Sequence, residues 1–421
     1  MSVPQRLPTP ASPQPEILRE LRAFRWNGRP TKRAVTSVGL AKSRPIVVET
    51  FVNEFWTSKQ RAAHSLHEVS YRACFKPQLP RFFIDRFTAP GDVVYDPFMG
   101  RGTTVIEAAL AGRTAAGCDI NPLSAMLAQP RLSPPTVEDV KRRLSTLDLS
   151  FATSYPTELE VFYHPDTLRE ICSLREYLLA REANGSLDAV DRWIRMVAVN
   201  RLTGHSPGFF SVYTLPPNQA ASAAAQVRIN ARRGQVPPRR DVRALITAKT
   251  QSLLTDCDAA TRATLLRSAN RARLLTRPAH STPQLQKNSV SLVVTSPPFL
   301  DVVNYAGDNW LRGWFCGIDT SAVEISMHRK VADWQVAMTA VFRELARVLR
   351  PGGHVAFEVG EVRNGKVKLE EAVLPCGVAS GLEPLLVVIN AQQFTKTANC
   401  WGVRNNSGGT NTNRIVVFRK G

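Results

Sequence analysis

Two short stretches of this chain carry residue types that can do chemistry at a strand end. In the first, TSPPF, Ser296-Pro297-Pro298-Phe299 stands directly behind the β-branched run Ser289–Thr295. Proline cannot donate to a sheet ladder, and it biases the residue before it away from helix. The strand must therefore stop here, with a stiff element at its C-terminal edge, where open α/β sheets bind ligands. In the second, DPFMGRGTT, Asp96 leads a glycine turn between the short strand Val93–Tyr95 and a helix; a further strand, Thr114–Cys118, then ends in Asp119. Strand, glycine turn, helix, strand and acid is the logic of a nucleoside-binding βαβ unit. The glycines let backbone approach the ligand, and the acid grips ribose hydroxyls. A bare G-x-G is a weak signal; the flanking strand and helix and the leading acid make this one strong.

The elements that position these groups alternate along the chain. After the glycine turn, TTVIEAALAGR reads as a helix with small packing residues and Gly112 as its C-cap, and INPLSAMLA opens another. The amphipathic segment Trp334–Leu349 is a helix stopped by Pro351-Gly352-Gly353, and His354–Val359, Leu385–Ile389 and Ile415–Phe418 are strands. Residues 135–270 interrupt the alternation and read as mostly helical. Within them Arg228, Arg232, Arg233, Arg239, Arg240, Arg243 and Lys249 face only Asp241. This positive stretch is the leading candidate for reading a nucleic acid, and a solvated helical face is the alternative. The reading divides the chain into a basic N-terminal arm (1–55), a cofactor half (56–134), a helical basic insertion (135–270) and a catalytic half (271–421). The arm would hold a short helix around Glu16–Arg25 and could follow a phosphate backbone.

Charge is the unusual bulk quantity. The 421 residues hold 54 Lys and Arg against 35 Asp and Glu, a formal net charge of +19. Such an excess favours a polyanionic partner. The seven cysteines are scattered with no C-x-x-C pair. Neither a disulfide framework nor a metal site is expected, and reduced intracellular thiols are the default. The opening MSVPQRLPTPASPQPE has no apolar core, and no run approaches the roughly 18 apolar residues of a membrane span. A cytoplasmic protein with no membrane contact is expected; the sequence sets no oligomeric state.

DPFMGRGTT followed by TSPPF resembles the S-adenosylmethionine-dependent DNA amino-methyltransferases, over residues 56–134 and 271–421. GFFSVYTLPPNQA and FTKTANCWGVRNNSGGTNTNR are similar to one branch of the bacterial site-specific enzymes. The resemblance implies an α/β, Rossmann-like class I methyltransferase with a seven-stranded, mainly parallel sheet whose last strand is reversed. Asp96, Pro97, Phe98, Gly100, Gly102 and Thr103 would line the cofactor's methionine part, and Asp119 would bond its ribose. HEVSYRACFKPQLP resembles the segment that closes the cofactor pocket, with Lys76 and Pro77 as the chosen contacts. Ser296, Pro297, Pro298 and Phe299 would hold a target base flipped from double-stranded DNA. The Ser296 hydroxyl and the Pro297 carbonyl would accept from its amine, and Phe299 would offer a stacking face. Tyr305, beside the motif, could stack a base or fill its vacated place, and the nearby Trp310 reads as core.

Serine before Pro-Pro accompanies cytosine-N4 transfer more often than adenine-N6 transfer in such enzymes, so cytosine is preferred and adenine is the alternative. Carbon-5 methylation would need a nucleophilic cysteine, and Pro375-Cys376 stands in an unsuitable context. The chain departs from the family pattern in two ways: the cofactor half precedes the base half, and RLLTRPAHSTPQLQ lacks the acid expected to meet the adenine amine. An RNA base methyltransferase and a non-catalytic nucleic-acid-binding protein are the competing readings. No nuclease signature is visible, so a partner restriction endonuclease would be a separate polypeptide. DNA would keep the protein at the bacterial nucleoid.

Overall fold

A computed structural model describes residues 15–40, 43–57, 63–72, 74–152, 154–298, 304–325, 328–362, 367–391 and 412–421. Nine strands form one sheet: β1 (Lys32–Leu40), β2 (Ser43–Asn53), β3 (Val93–Asp96), β4 (Thr114–Asp119), β5 (Arg273–Thr276), β6 (Val290–Thr295), β7 (Leu349–Val359), β8 (Leu382–Ala391) and β9 (Thr412–Lys420). Their spatial order is β1-β2-β8-β9-β7-β6-β3-β4-β5. From β8 to β5 this is the expected seven-stranded sheet. β9 runs antiparallel to both β7 and β8, while β7, β6, β3, β4 and β5 are mutually parallel. All six residues of β6 are buried. A strand covered on both faces needs no polar alternation, which is why its sequence reads as a continuous β-branched run.

Thirteen helices are described. α2 (Gln78–Phe87), α3 (Thr103–Leu110) and α4 (Pro122–Leu132) lie on one face of the sheet; α12 (Val331–Val348) and α13 (Leu369–Val378) lie on the other. Alternate residues of the central strands feed the two cores. Val94, Leu292 and Val294 point to the first, and Tyr95 and Val293 to the second.

Residues 135–270 supply α5 (Val137–Thr146), α6 (Pro165–Ala183), α7 (Ala189–Val199), α8 (Ala223–Arg233), α9 (Val242–Leu253) and α10 (Ala259–Ala269). They share the first core: Ile171, Trp193, Ile246 and Leu265 pack in one cluster with Ile106, Leu127 and with Leu311 of α11 (Tyr305–Cys316). Buried Asp191 ties α7 to its neighbours by accepting from Arg143, from Arg181 at 2.6 Å and from the Tyr177 hydroxyl at 3.1 Å.

The segment expected as a basic arm behaves differently. After α1 (Glu16–Ala23), β1 pairs antiparallel with β2, and β2 pairs in parallel with β8. Two of the segment's basic groups already share one acid, since Arg22 and Arg33 each lie 2.6 Å from a Glu49 oxygen. Counting charges could not reveal this, because β1 opens on Lys32 and Arg33, which continue the basic run before it. Among the described residues no helix is long and apolar enough to cross a membrane.

Candidate functional site

The loops that leave the carboxyl ends of β3, β4, β5 and β6 converge on a cavity of about 450 Å³. Asp96, Pro97, Phe98, Gly100 and Thr103 line it from the first loop, Asp119 and Ile120 from the second, Pro278 and Ala279 from the third, and Ser296 and Pro298 from the fourth. Parallel strands that end in line gather these loops, although the chain separates Asp96 from Ser296 by the whole insertion.

The glycine turn owes its path to two backbones that an L side chain would strain. Gly100 has φ +48°, and the Tyr71 ring lies 3.6 Å from where its Cβ would stand. Gly102 has φ +80° as the N-cap of α3, and a Cβ there would come within 2.8 Å of Ala128 Cβ. Between them, Arg101 turns inward and is 6% exposed. It donates to the carbonyls of His67 (3.2 Å) and Val69 (2.9 Å) and to Thr103 Oγ1 (3.1 Å), which draws the preceding segment over the turn.

Both acids of the nucleoside motif are held by donors. Asp96 accepts from Thr295 Oγ1 at 2.6 Å and from the Phe98 N–H at 3.1 Å. Burial nonetheless pushes its carboxyl up to about 7. Asp119 accepts the backbone N–H groups of Gly100 and Asn121, each at 2.9 Å, so the tip of β4 fixes the glycine turn directly. Burial raises its pKa against the pull of those donors. Each of its oxygens keeps lone pairs for a further donor such as a ribose hydroxyl. Backbone that can approach a ligand, an acid with free acceptor capacity and a cavity of this volume fit a nucleoside-bearing cofactor.

At the other end, Ser296 interacts with the carboxyl of Glu358, a buried residue of β7 that accepts from Asn413 Nδ2 at 3.2 Å. Burial raises the Glu358 pKa, and those two hydrogen bonds oppose the rise. Trp334 Nε1 donates to the Pro298 carbonyl at 3.0 Å, which pins the Pro-Pro corner to α12. Tyr305 lines the cavity, and burial pushes its hydroxyl up to about 12.

Several expected residues fall elsewhere. Pro297 is buried behind the wall, and Phe299 lies outside the described residues, as does most of the stretch FTKTANCWGVRNNSGGTNTNR. Lys76 and Pro77 do not line the cavity; Tyr71, Arg72, Cys74 and Phe75 take that place, and Pro77 borders a separate hollow with Arg81 and Glu107. Within HEVSYRACFKPQLP it is Tyr71, and not Lys76 or Pro77, that stands against the Gly100 turn. Of the basic stretch, Arg228, Arg232 and Arg233 are exposed on α8, and Arg233 lies 3.8 Å above the Tyr213 ring. Arg239 faces Glu170 at 3.5 Å and Asp166 at 3.7 Å. Arg240 is half-buried, with its backbone bonded in both directions to Thr167 Oγ1. Sequence reasoning missed Tyr71, Trp334 and Glu358. For Glu358 the signal was present, since a carboxylate inside HVAFEVG breaks an otherwise apolar strand. Among the described residues no group of three or more His, Cys, Asp or Glu side chains is arranged to hold a metal.

The sheet order with its reversed β9 and the cavity at the strand ends define a Rossmann-like class I methyltransferase fold. Residues 40–129 match the family described as DNA methylase, of the N6/N4 type. That match bears out, over these residues, the resemblance to S-adenosylmethionine-dependent DNA methyltransferases read from Asp96–Thr104. The chain is 33% identical over 88 residues to the type II methyltransferase M.MjaII of Methanocaldococcus jannaschii, covering 21% of this chain and 17% of that protein. It is 29% identical over 142 residues to the type II methyltransferase M.MvaI of Kocuria varians, covering 33% of this chain and 27% of that protein. The matches thus span well under half of these curated relatives. Among solved structures, geranyl diphosphate C-methyltransferase from Streptomyces coelicolor is 10% identical with a TM-score of 0.34, covering 82% of this chain and 77% of that one.

Proposed function

We propose that this protein transfers a methyl group from S-adenosylmethionine to the exocyclic amino group of a base flipped out of double-stranded DNA, with cytosine N4 as the target. The observation that carries the reading is one cavity with the Asp119–Gly100 nucleoside clamp at one end and Ser296 and Pro298 at the other. Asp119, the glycine turn and the Tyr71 wall would hold the cofactor. When bound, S-adenosylmethionine supplies an electrophilic methyl group on a sulfonium.

The protein's own work is positioning and electrostatics. An amine conjugated to a base ring is a weak nucleophile because its lone pair is delocalised. Two acceptors aimed at its hydrogens draw the nitrogen toward tetrahedral geometry and free that lone pair. Glu358 would take the Ser296 hydrogen, so that the Ser296 oxygen meets the amine as an acceptor. The Pro297 carbonyl is the second acceptor, and Trp334 keeps the corner rigid through Pro298. The amine is buried in duplex DNA, so extrusion is required, and Phe299 or Tyr305 would stack the freed base.

The insertion would bind the duplex, with Arg228, Arg232 and Arg233 toward phosphates and affinity falling steeply with salt. Any companion restriction endonuclease would be a separate chain, and the enzyme would act at the nucleoid in the cytoplasm. Mass spectrometry of nucleosides from unmethylated DNA incubated with protein and S-adenosylmethionine tests the chemistry. N4-methylcytosine is expected, and it should be absent with Ser296→Ala. N6-methyladenine would keep the mechanism and overturn the base assignment. Methylation of RNA alone would overturn the DNA assignment.

A further inference from the structure

The insertion and the candidate site meet at one buried guanidinium. Arg312 stands about two turns beyond Tyr305 on α11 and is 6% exposed. Its hydrogen bonds reach three segments. One nitrogen donates to Asn309 Oδ1 at 2.8 Å; another donates to the Ser70 carbonyl at 3.1 Å and to the Pro217 carbonyl at 2.6 Å. Each partner leads onward. Asn309 donates to the Tyr305 carbonyl at 2.8 Å, in the helix turn beside the Pro-Pro corner. Ser70 precedes Tyr71, the wall over Gly100, and the guanidinium carbon lies 5.9 Å from that ring's centroid. Pro217 belongs to the insertion's loop between α7 and α8. The same loop is tied twice more, since Asn200 Oδ1 accepts from the Ser70 N–H at 2.9 Å and the Ala221 carbonyl accepts from Trp310 Nε1 at 3.1 Å.

All three acceptors bonded to Arg312 are neutral carbonyl oxygens. A buried cation held this way depends on every one of them, because withdrawing a loop would strand its charge away from water. The loop, the Tyr71 wall and the first turn of α11 are therefore constrained to move together. We propose that Arg312 is a positioning residue that couples DNA held by the insertion to the fit of the cofactor wall. The proposal rests on the reading that the insertion binds DNA and the cavity binds S-adenosylmethionine. Coupling of this kind is reciprocal: DNA must tighten cofactor binding by the same factor by which cofactor tightens DNA binding.

The experiment measures the affinity of S-adenosylhomocysteine by calorimetry, with and without plasmid DNA grown free of base methylation. Wild type, Arg312→Met and Arg312→Lys are compared. DNA is expected to tighten binding to wild type by about fivefold or more. Arg312→Met should keep its DNA-free affinity within about threefold while the enhancement by DNA falls to nearly one. Arg312→Lys keeps the charge but reaches fewer carbonyls, so an intermediate enhancement is expected; it carries the test if the Met variant does not fold. Full enhancement in both variants would overturn the proposal, as would equal losses of affinity with and without DNA, which mark a purely structural wall. A wild type that binds both ligands independently would overturn this inference alone. A wild type that binds neither would overturn the functional reading beneath it.

Discussion

The two ends of the cavity, proposed to hold cofactor and base, are built in different ways. At the cofactor end the parts are near in sequence: Asp96, the glycine turn and Asp119 fall within 24 residues, and Asp119 bonds the Gly100 N–H directly. At the base end, Ser296 depends on Glu358 from β7, Pro298 on Trp334 from α12, and Tyr305 on a helix braced by the insertion. The first end is a local motif that would be recognisable on many sheets. The second exists only when distant elements are packed. Changes at the cofactor end should therefore act on binding and folding, and changes at the base end on turnover.

The largest expected effect concerns Asp96. Its carboxyl ionises near 3.8 when unfolded and is pushed up to about 7 by burial. Between these values the folded state holds a proton that the unfolded chain has released, so stability falls as pH rises through the window. The full span is worth up to about 4 kcal/mol. Asp96→Asn should flatten the decline in denaturation midpoint between about pH 4 and pH 7, and an unchanged slope would show that another group sets it.

Removing the proposed ribose acceptor comes next. Asp119→Ala should weaken S-adenosylhomocysteine binding about 100-fold, close to 3 kcal/mol, by calorimetry. Part of that loss reflects the released Gly100 turn. Gly102→Ala puts a methyl 2.8 Å from Ala128 and forces alanine to φ +80°. It should destabilise the fold by about 2 kcal/mol in urea titration, and a neutral result would mean that α3 can shift. The smallest effect is at the base end. Glu358→Gln keeps a partner for Ser296 but loses the charge, so kcat should fall about tenfold with cofactor affinity unchanged. A matched loss of affinity would place Glu358 in the cofactor's support and erase the contrast between the ends.

The same contrast explains what could be read from the sequence. The βαβ unit was legible because glycine, helix and acid announce themselves within one short window. The strand before Ser296 was legible because a β-branched run ending in two prolines has few other meanings. The pairing of β1 with β2 was hidden, because Arg22 before it and Arg33 within it look like a charged arm until Glu49 is seen beside both. The basic stretch of the insertion mixes roles that charge alone cannot separate: Arg232 is exposed, Arg239 faces acids and Arg240 is half-buried. Arg101 and Arg312 were opaque for the same reason, since a buried arginine bonded to carbonyls carries no pattern in sequence.

One preparation of Ser296→Ala tests most directly the claim that cofactor and base occupy separable ends of one cavity. S-adenosylhomocysteine affinity and labelled methyl transfer to unmethylated DNA would be measured on it side by side with wild type. Affinity within about twofold and transfer reduced about 100-fold or more is the expected pair of results. A variant that loses both together, or that transfers methyl groups as well as wild type, would contradict it.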